Sequence, residues 1–209
     1  MNEWKMEPWE SILSVLPQPL CNAIKALNSG VQKEIREVRL RLGQPVYLQT
    51  GEGGLFLSRT GVLQRFPDSD SLLTDRESLE ECFRAICGYA VHTHQNELKN
   101  GFVTLKGGHR AGICGTGVYH DGSLTAIREL SSVNIRVAHQ IRGAADEILR
   151  RWDQLGGILL VGPPASGKTT ILRDMARQLG SGYKGKIRKI ALVDERGEIA
   201  ASVGGYPQN

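Results

Sequence analysis

Residues 162–169 have the types and spacing that bind the phosphate chain of a nucleotide. They read Gly-Pro-Pro-Ala-Ser-Gly-Lys-Thr and match the pattern G-x-x-x-x-G-K-[ST], the P-loop or Walker A motif. Successive N–H groups of such a loop wrap phosphate oxygens, and the helix that starts there adds partial positive charge. In this arrangement Lys168 contacts the β- and γ-phosphates and the Thr169 hydroxyl binds Mg²⁺. The pattern therefore predicts a site for ATP and Mg²⁺, and the alternative is a glycine-rich turn that binds nothing.

The predicted nucleotide-binding residues include both sides of the glycine-rich loop and the start of the helix after it. They are Gly162, Pro163, Pro164, Ala165, Ser166, Gly167, Lys168, Thr169 and Thr170. Lys168 is also a predicted catalytic residue, because an ammonium group at the β- and γ-phosphates stabilises the charge that develops there.

An acidic stretch, residues 194–198, is the second group that could do chemistry. Asp194 and Glu195 directly follow the apolar run 187–193. Ligands of parallel sheets bind at the carboxyl ends of the strands, so these carboxylates are expected beside the phosphates. One interpretation makes Asp194 a magnesium ligand and Glu195 the group that polarises the attacking water. The other interpretation is a solvated acidic turn.

Three elements must position these groups. Residues 158–161 are Ile-Leu-Leu-Val after two glycines, which indicates a buried parallel strand. Residues 170–179 indicate a helix with an apolar face made of Ile171, Leu172, Met175 and Leu179. Residues 187–193 indicate a second apolar strand. Together they predict an α/β core around the phosphate site.

The first half of the chain has a different pattern. Residues 35–42 alternate between apolar side chains and arginines, which indicates a half-buried strand whose Arg39 and Arg41 face solvent, a partner or an acidic ligand. Residues 73–90 indicate a helix with a capping box from Thr74 to Glu77. Glycine-separated apolar runs follow, with a hairpin signal at Asp121-Gly122. This order predicts an α+β domain with a meandering antiparallel sheet.

Composition excludes several classes of protein. The 209 residues are 40% hydrophobic and 23% charged, which is ordinary for a globular protein. No apolar run approaches the ~18 residues of a membrane helix, and no signal peptide is evident, so a cytoplasmic protein is expected. The four cysteines lack paired metal-ligand spacing and are expected to be reduced and buried. A net charge of +4 does not by itself argue for nucleic acid as a partner, and an aromatic content of 6% without interleaved basic-aromatic runs weakens that alternative.

Several stretches along the whole chain resemble the stage III sporulation protein AA family of endospore-forming bacteria, which is related to the type II and type IV secretion and pilus ATPases. The stretches that carry the resemblance are residues 34–41, 100–104, 107–112, 131–137, 162–170 and 193–200. The resemblance implies an N-terminal α+β domain over residues 1–142, a connecting helix over 143–155 and a RecA-like P-loop core over 156–209. That core is a three-layer αβα fold with a parallel sheet.

The resemblance also implies an activity and a setting. Full-length relatives are expected to hydrolyse ATP to ADP and phosphate, to form a hexameric ring, and to power or gate the channel complex between mother cell and forespore. The expected location is the mother-cell cytoplasm, peripheral to membrane-embedded sporulation channel proteins and without a membrane span of its own. Two alternatives stay open, a nucleic-acid-binding RecA-like protein and a nucleotide-binding regulatory subunit that does not hydrolyse ATP.

Further site residues follow only from the resemblance. Glu195 and Glu198 match an acidic box of the related secretion ATPases. Arginines of the N-terminal domain approach the nucleotide there, and Arg136, with Arg128 as a weaker choice, matches them. Relatives continue beyond the position of Asn209 with a later Asp-Glu strand, so the chain is expected to be C-terminally truncated with an incomplete core. Whether Asp194 or a later aspartate orients Mg²⁺, and whether this chain hydrolyses ATP alone, both stay open.

Overall fold

The computed structural model describes residues 8–121, 123–139, 141–151, 157–164, 166–194 and 199–200. The chain divides into two compact units, which meet in sequence between Ala138 and His139. The three-part division at residues 142 and 155 stays a prediction.

Three short helices begin the first unit: α1 (Pro8–Leu13), α2 (Gln18–Ala26) and α3 (Ser29–Glu34). Pro17 has an extended backbone and separates α1 from α2, while Pro19 lies in the first turn of α2, where no intrahelical N–H is needed. Asn28 caps α3, because its side-chain oxygen accepts a hydrogen bond of 2.8 Å from the Gly30 N–H. The prolines therefore separate the first two helices, and the asparagine cap begins the third.

A seven-stranded antiparallel sheet forms the body of the first unit. Its strands and the two helices between them are β1 (Glu37–Arg41), β2 (Tyr47–Gln49), β3 (Gly54–Leu57), β4 (Leu63–Gln64), α4 (Arg76–Ile86), α5 (Gln95–Lys99), β5 (Phe102–Thr104), β6 (Arg110–His120) and β7 (Ser123–Arg136). The strand order is β4-β3-β2-β1-β7-β6-β5. Val38 of β1 lies opposite Leu48 of β2 and Ile135 of β7, and all three are fully buried. The alternation predicted for residues 35–42 is therefore present, with Arg39 and Arg41 on the opposite face.

The longest feature of the sheet is the hairpin of β6 and β7. Asp121 lies at its tip with a φ of +50°, while Gly122 lies outside the described residues. The apolar runs that the sequence separates after this turn are one continuous strand of 14 residues. A bulge between Cys114 and Thr116 shifts the register, and at Gly115 an added Cβ would lie 2.7 Å from a methyl group of Ile127. Glycine thus permits the close approach of the two strands at the bulge.

Helix α4 packs against β7 over the buried face of the sheet. Its N-cap is Asp75, whose carboxylate accepts a 2.8 Å hydrogen bond from the Ser78 N–H. The capping box predicted at Thr74 is wrong by one residue. The main chain of Thr74 instead pairs with Gln44 and Gly43, which holds Thr74 in an extended connection and moves the helix start to the next residue.

The second unit contains α6 (Asp146–Arg150) and α7 (Lys168–Ser181). Its buried apolar cluster consists of Ala145, Leu149, Met175 and Leu179, with Ile171 packed beside it. Leu172, which the sequence placed on the same face, is 39% exposed. Across the described residues, no helix is both long enough and apolar enough to cross a membrane.

The parallel sheet predicted for the second unit is not observed. In the described part of this unit, neither residues 158–161 nor residues 187–193 form a strand. Leu159 and Val193 are 86% and 97% exposed. A parallel strand needs main-chain partners and apolar cover on both faces. Ile158 packs against the cluster of α6 and α7, but Leu159 and Val193 are left uncovered. The sheet of this protein is antiparallel and lies in the first unit, so the structure supports a mixed α/β fold but not the predicted RecA-like core.

Candidate phosphate-binding site

The loop of residues 162–167 leads directly into α7. Gly167, the residue before the helix, has a φ of +87° and a ψ of 6°, a left-handed conformation that side chains with a Cβ rarely adopt. At the other end of the loop, a Cβ on Gly162 would lie 2.8 Å from the Ser166 hydroxyl oxygen. Gly167 is therefore required by the turn into the helix, whereas a side chain at Gly162 would meet only the Ser166 hydroxyl, which can rotate away.

The first turn of α7 offers main-chain N–H groups to a ligand. Among the residues that the structure describes, no side chain caps this end of the helix. The first intrahelical hydrogen bond runs from the Ile171 N–H to the Gly167 carbonyl at 2.9 Å. By helix geometry, the N–H groups of Lys168, Thr169 and Thr170 have no acceptor within the helix. Such an open helix end carries about half a positive charge and favours anions.

The Lys168 ammonium group lies against the loop. It donates hydrogen bonds to the carbonyl oxygens of Gly162 at 2.8 Å and Pro163 at 2.6 Å, and its nitrogen lies 3.3 Å from the Ser166 hydroxyl. An ammonium has three donors, so these neighbours can occupy all of them. A phosphate chain bound in the loop would have to replace carbonyl oxygens as acceptors for Lys168.

The remaining predicted residues of the site could supply one oxygen ligand to a magnesium ion, but not a full set. Thr169 and Thr170 are half-buried in the first turn of α7, whereas Pro163 and Pro164 are exposed; Ala165 lies outside the described residues. A threonine hydroxyl is a hard oxygen donor of the kind Mg²⁺ prefers. Within the described residues, no group of three or more acidic, histidine or cysteine side chains is placed to hold a metal. Mg²⁺ bound here would therefore keep waters and phosphate oxygens among its ligands, as it usually does with nucleotides.

Asp194 has main-chain partners in the described residues. Its carboxylate oxygen Oδ2 accepts hydrogen bonds from the N–H groups of Ile199 at 2.8 Å and Ala200 at 2.9 Å. Glu195 and Glu198 lie outside the described residues, so their roles, like that of Asp194 toward Mg²⁺, stay predictions.

The two predicted arginines belong to the first unit. Arg136 is the last residue of β7, where it lies between Glu37 of β1 and Arg110 of β6. Arg128 is exposed on the same strand, opposite Thr116. Their approach to a nucleotide stays a prediction.

A buried carboxylate in α7 was missed by the sequence reasoning. Asp174 is 3% exposed, although it lies only six residues after Lys168. It accepts hydrogen bonds from the Ala145 N–H, from Arg177 and from Gln178. Its position in the sequence could have revealed this burial. Asp174 lies three residues after Ile171 and one before Met175, which places it on the apolar face of the helix.

Opposing effects act on the pKa of Asp174. Burial raises the pKa, because desolvation disfavours the carboxylate. The hydrogen bonds from Ala145, Arg177 and Gln178, together with the positive charge of Arg177, lower it by more. The pKa of Asp174 is therefore lowered overall, and the side chain is a carboxylate at neutral pH.

Comparisons with known proteins identify relatives of the whole chain. Residues 6–209 match the family model described as sporulation stage III, protein AA. The stage III sporulation protein AA of Bacillus subtilis (strain 168) is 36% identical over 201 residues, which are 95% of this chain and 61% of the relative. The protein SEEDLING PLASTID DEVELOPMENT 1 of Arabidopsis thaliana is 31% identical over 80 residues, 36% of this chain and 11% of the relative.

Among solved structures, the ATPase DotB of Legionella pneumophila is similar with a TM-score of 0.44 and 11% identity, over 87% of this chain and 44% of DotB. This similarity is too low to establish a shared fold. The chain spans about three fifths of the length of the B. subtilis relative. On the match over residues 6–209, the chain belongs to the sporulation stage III protein AA family.

Proposed function

We propose that this chain binds ATP with Mg²⁺ through residues 162–169 and is the nucleotide-binding part of a secretion-type ATPase that acts in endospore formation. The glycine and lysine positions of the loop support the nucleotide site. Membership of the sporulation stage III protein AA family supports the role in sporulation.

One observation carries the nucleotide site: Gly167 in a left-handed conformation directly before the 14-residue helix α7. This conformation leaves the N–H groups of the first turn open at the end of the loop. The Lys168 ammonium adds a full positive charge beside these N–H groups, and it donates hydrogen bonds to the loop carbonyls. Main-chain donors, a helix end and one ammonium are the combination that holds a polyphosphate.

The roles around the phosphates follow from their chemistry. The Thr169 hydroxyl supplies one oxygen to Mg²⁺, and Asp194 is the further oxygen ligand that we propose. Glu195 polarises the attacking water, with Glu198 beside it in the acidic stretch. Arg136 approaches the γ-phosphate region. An arginine that acts across a subunit boundary accelerates phosphoryl transfer by about 10³–10⁵, so turnover depends on the assembled protein.

The assembly that we propose is a homo-oligomeric ring of the whole protein, with six subunits. The ring sits on the cytoplasmic side of the mother-cell membrane and powers or gates a channel of membrane-embedded sporulation proteins. Nucleotide binding replaces the loop carbonyls as acceptors for Lys168, and release of ADP and phosphate restores those contacts. These roles concern the whole protein, of which this chain spans a part.

The test is the variant Lys168→Ala, measured by calorimetry with MgATP and with AMP. A hydrogen bond to a charged group contributes about 1.5–3 kcal/mol, so loss of the ammonium should weaken ATP binding by roughly tenfold to 100-fold or more. AMP has no β- or γ-phosphate, so its affinity should change little. This difference locates Lys168 at the distal phosphates.

Lys186→Ala is the matched control, because Lys186 is an exposed lysine of the same unit. Its ATP affinity should equal that of the wild type. Unchanged ATP binding by Lys168→Ala, or an equal loss in both variants, would show that residues 162–169 are not the nucleotide site.

A further inference from the structure

Asp174 is a buried carboxylate that takes no part in the phosphate site. Charged side chains are almost never fully buried unless they are paired, and Asp174 is 3% exposed in the middle of α7. Its partners come from two directions. Arg177 and Gln178 lie one turn further along the same helix, and Ala145 lies directly before α6.

Each oxygen of Asp174 has a defined task. Oδ1 accepts two hydrogen bonds from Arg177, from Nε at 3.0 Å and from Nη2 at 2.6 Å. Oδ2 accepts the Ala145 N–H at 3.0 Å and Gln178 Nε2 at 2.9 Å. Arg177 thus holds the carboxylate in one orientation, and that orientation aims Oδ2 at the main chain before α6. Such charge-assisted, doubly bonded contacts are stronger and more directional than neutral ones.

The segment that Asp174 holds is the one that leads out of the first unit. The first unit ends at Ala138, and Ala145 follows seven residues later. Gly143, with a φ of +83°, makes the turn before α6, and its carbonyl accepts the Asp146 N–H at 3.1 Å. Ala145 itself is fully buried. The connection is therefore attached to α7 at a defined point, rather than passing freely over it.

The same helix carries the phosphate site. Asp174 follows Lys168 by six residues, which is about 9 Å along a helix that rises about 1.5 Å per residue. Lys168 bonds to loop carbonyls, so a bound phosphate chain must replace them as acceptors, and it also bonds to the open N–H groups of the first turn of α7. A hydrogen-bonded helix is a rigid element of the kind that carries coupling between sites, and α7 joins the loop to Asp174.

We infer that Asp174 is a positioning residue that couples nucleotide binding at the loop to the connection between the two units, by fastening the Ala145 N–H to α7. The inference rests on the proposed function for its ligand. Coupling of this kind is reciprocal: the factor by which nucleotide stabilises the Asp174–Ala145 contact must equal the factor by which that contact strengthens nucleotide binding. Couplings between sites typically lie between about fivefold and 150-fold.

The experiment follows amide hydrogen exchange of Ala145 in the full chain, with and without MgATP, alongside calorimetry. In the wild type, saturating MgATP should slow exchange of this amide by about fivefold or more. In Asp174→Ala, exchange should be at least roughly tenfold faster without nucleotide, because the N–H loses a charged acceptor. MgATP should no longer slow it, and the Kd for ATP should rise by the factor that the wild type showed.

Asp146→Asn is the control. Asp146 accepts Gln178 Nε2 at the surface at 2.6 Å, so this change alters a neighbouring contact between the helices and leaves the Asp174–Ala145 bond in place. In this variant, the exchange rate of the Ala145 amide and the Kd for ATP should both stay within about twofold of the wild type. Asp174→Asn serves if Asp174→Ala does not fold, since it keeps one acceptor oxygen but loses the charge that faces Arg177; its effect should be intermediate.

Two results would overturn the inference. One is a folded Asp174→Ala chain in which MgATP still slows exchange at Ala145 by the wild-type factor. The other is a wild-type chain that binds MgATP with no change at Ala145, which leaves the proposed function standing. A wild-type chain that gives no heat with MgATP overturns both proposals, so the two failures are distinguishable.

Discussion

Leu149→Ala tests how the second unit holds the phosphate-binding helix. Leu149 is fully buried in α6, in a cluster whose other buried members are Ala145, Met175 and Leu179. The cluster is small, so each side chain supplies a large share of the apolar contact between α6 and α7. Removing this side chain should loosen α7 without touching the sheet of the first unit.

The magnitude follows from the atoms removed. Leucine loses three carbons on conversion to alanine, which at about 0.8 kcal/mol each is roughly 2.4 kcal/mol of transfer free energy. Measured Leu→Ala changes in cores range from about 2 to 5 kcal/mol, and the upper values need a cavity that cannot collapse. Ile148 and Ile171 are half-buried at the edge of this cluster and can move inward. We therefore expect about 2–3 kcal/mol, or roughly 30- to 150-fold more opening of the unit.

Hydrogen exchange by mass spectrometry measures this effect separately in each unit. Peptides from α7 should exchange roughly 30- to 150-fold faster in Leu149→Ala, whereas peptides from β1 and β2 should not change. Leu172→Ala is the control, because the same substitution on α7 itself removes a side chain that is 39% exposed. It should cost about 0.5 kcal/mol or less.

Two outcomes would refute this reasoning. If Leu172→Ala and Leu149→Ala accelerate exchange equally, the buried cluster does not hold α7. If β1 and β2 accelerate together with α7, the chain unfolds as one cooperative body and not as two units.

The other predictions concern titration and thiol reactivity. Because the pKa of Asp174 is lowered in the folded chain, its stabilising contribution is present above the ordinary value of 3.8 and is lost as pH falls through the lower, folded value. Thermal unfolding followed from pH 6 to pH 3 should therefore show a steeper acid loss in the wild type than in Asp174→Asn, and parallel curves would contradict this assignment. Burial raises the pKa of Cys82, and burial with the charge of Glu97 raises that of Cys87 to about 11, so neither forms much thiolate at pH 8. Iodoacetamide should modify the exposed Cys114 first by peptide mapping, and equal labelling of Cys82 would refute the buried placement.

Strand β1, at the centre of the sheet, shows which features a local sequence pattern can predict and which it cannot. Alternation at residues 35–42 identified the buried side chains of β1, because a strand directs successive residues to opposite faces. Nothing in that stretch specifies that β1 pairs with β7, nearly 100 residues later, as well as with β2. Pairing over such a distance depends on which apolar faces meet in the folded chain. The same holds for Asp75, whose role as a cap depended on the pairing of Thr74 with Gln44.

The parallel strands of the second unit fail for a related reason. Residues 158–161 and 187–193 have the apolar composition of strands, and composition was the whole basis for predicting them. A strand exists only where a neighbour accepts and donates its main-chain hydrogen bonds. Among the described residues, the segments that contain the exposed Leu159 and Val193 are not paired with a neighbouring strand. Asp174 is the opposite case, a charged residue whose burial depends on Ala145, 29 positions earlier.

The amino-acid sequence alone identified the family, from stretches along the whole chain, and the glycine-rich loop, whose pattern lies within eight residues. It also predicted the helix after the loop, although α7 begins at Lys168, two residues before the predicted start. A turn at Gly167 and a lysine after it require no distant partner. The tertiary structure alone decided the strand order of the sheet, the lack of a parallel ladder among the described residues around the loop, and the attachment of Ala145 to Asp174. Those features depend on which main-chain groups and carboxylates meet across the fold, and hydrogen bonds between residues far apart in sequence leave no local pattern.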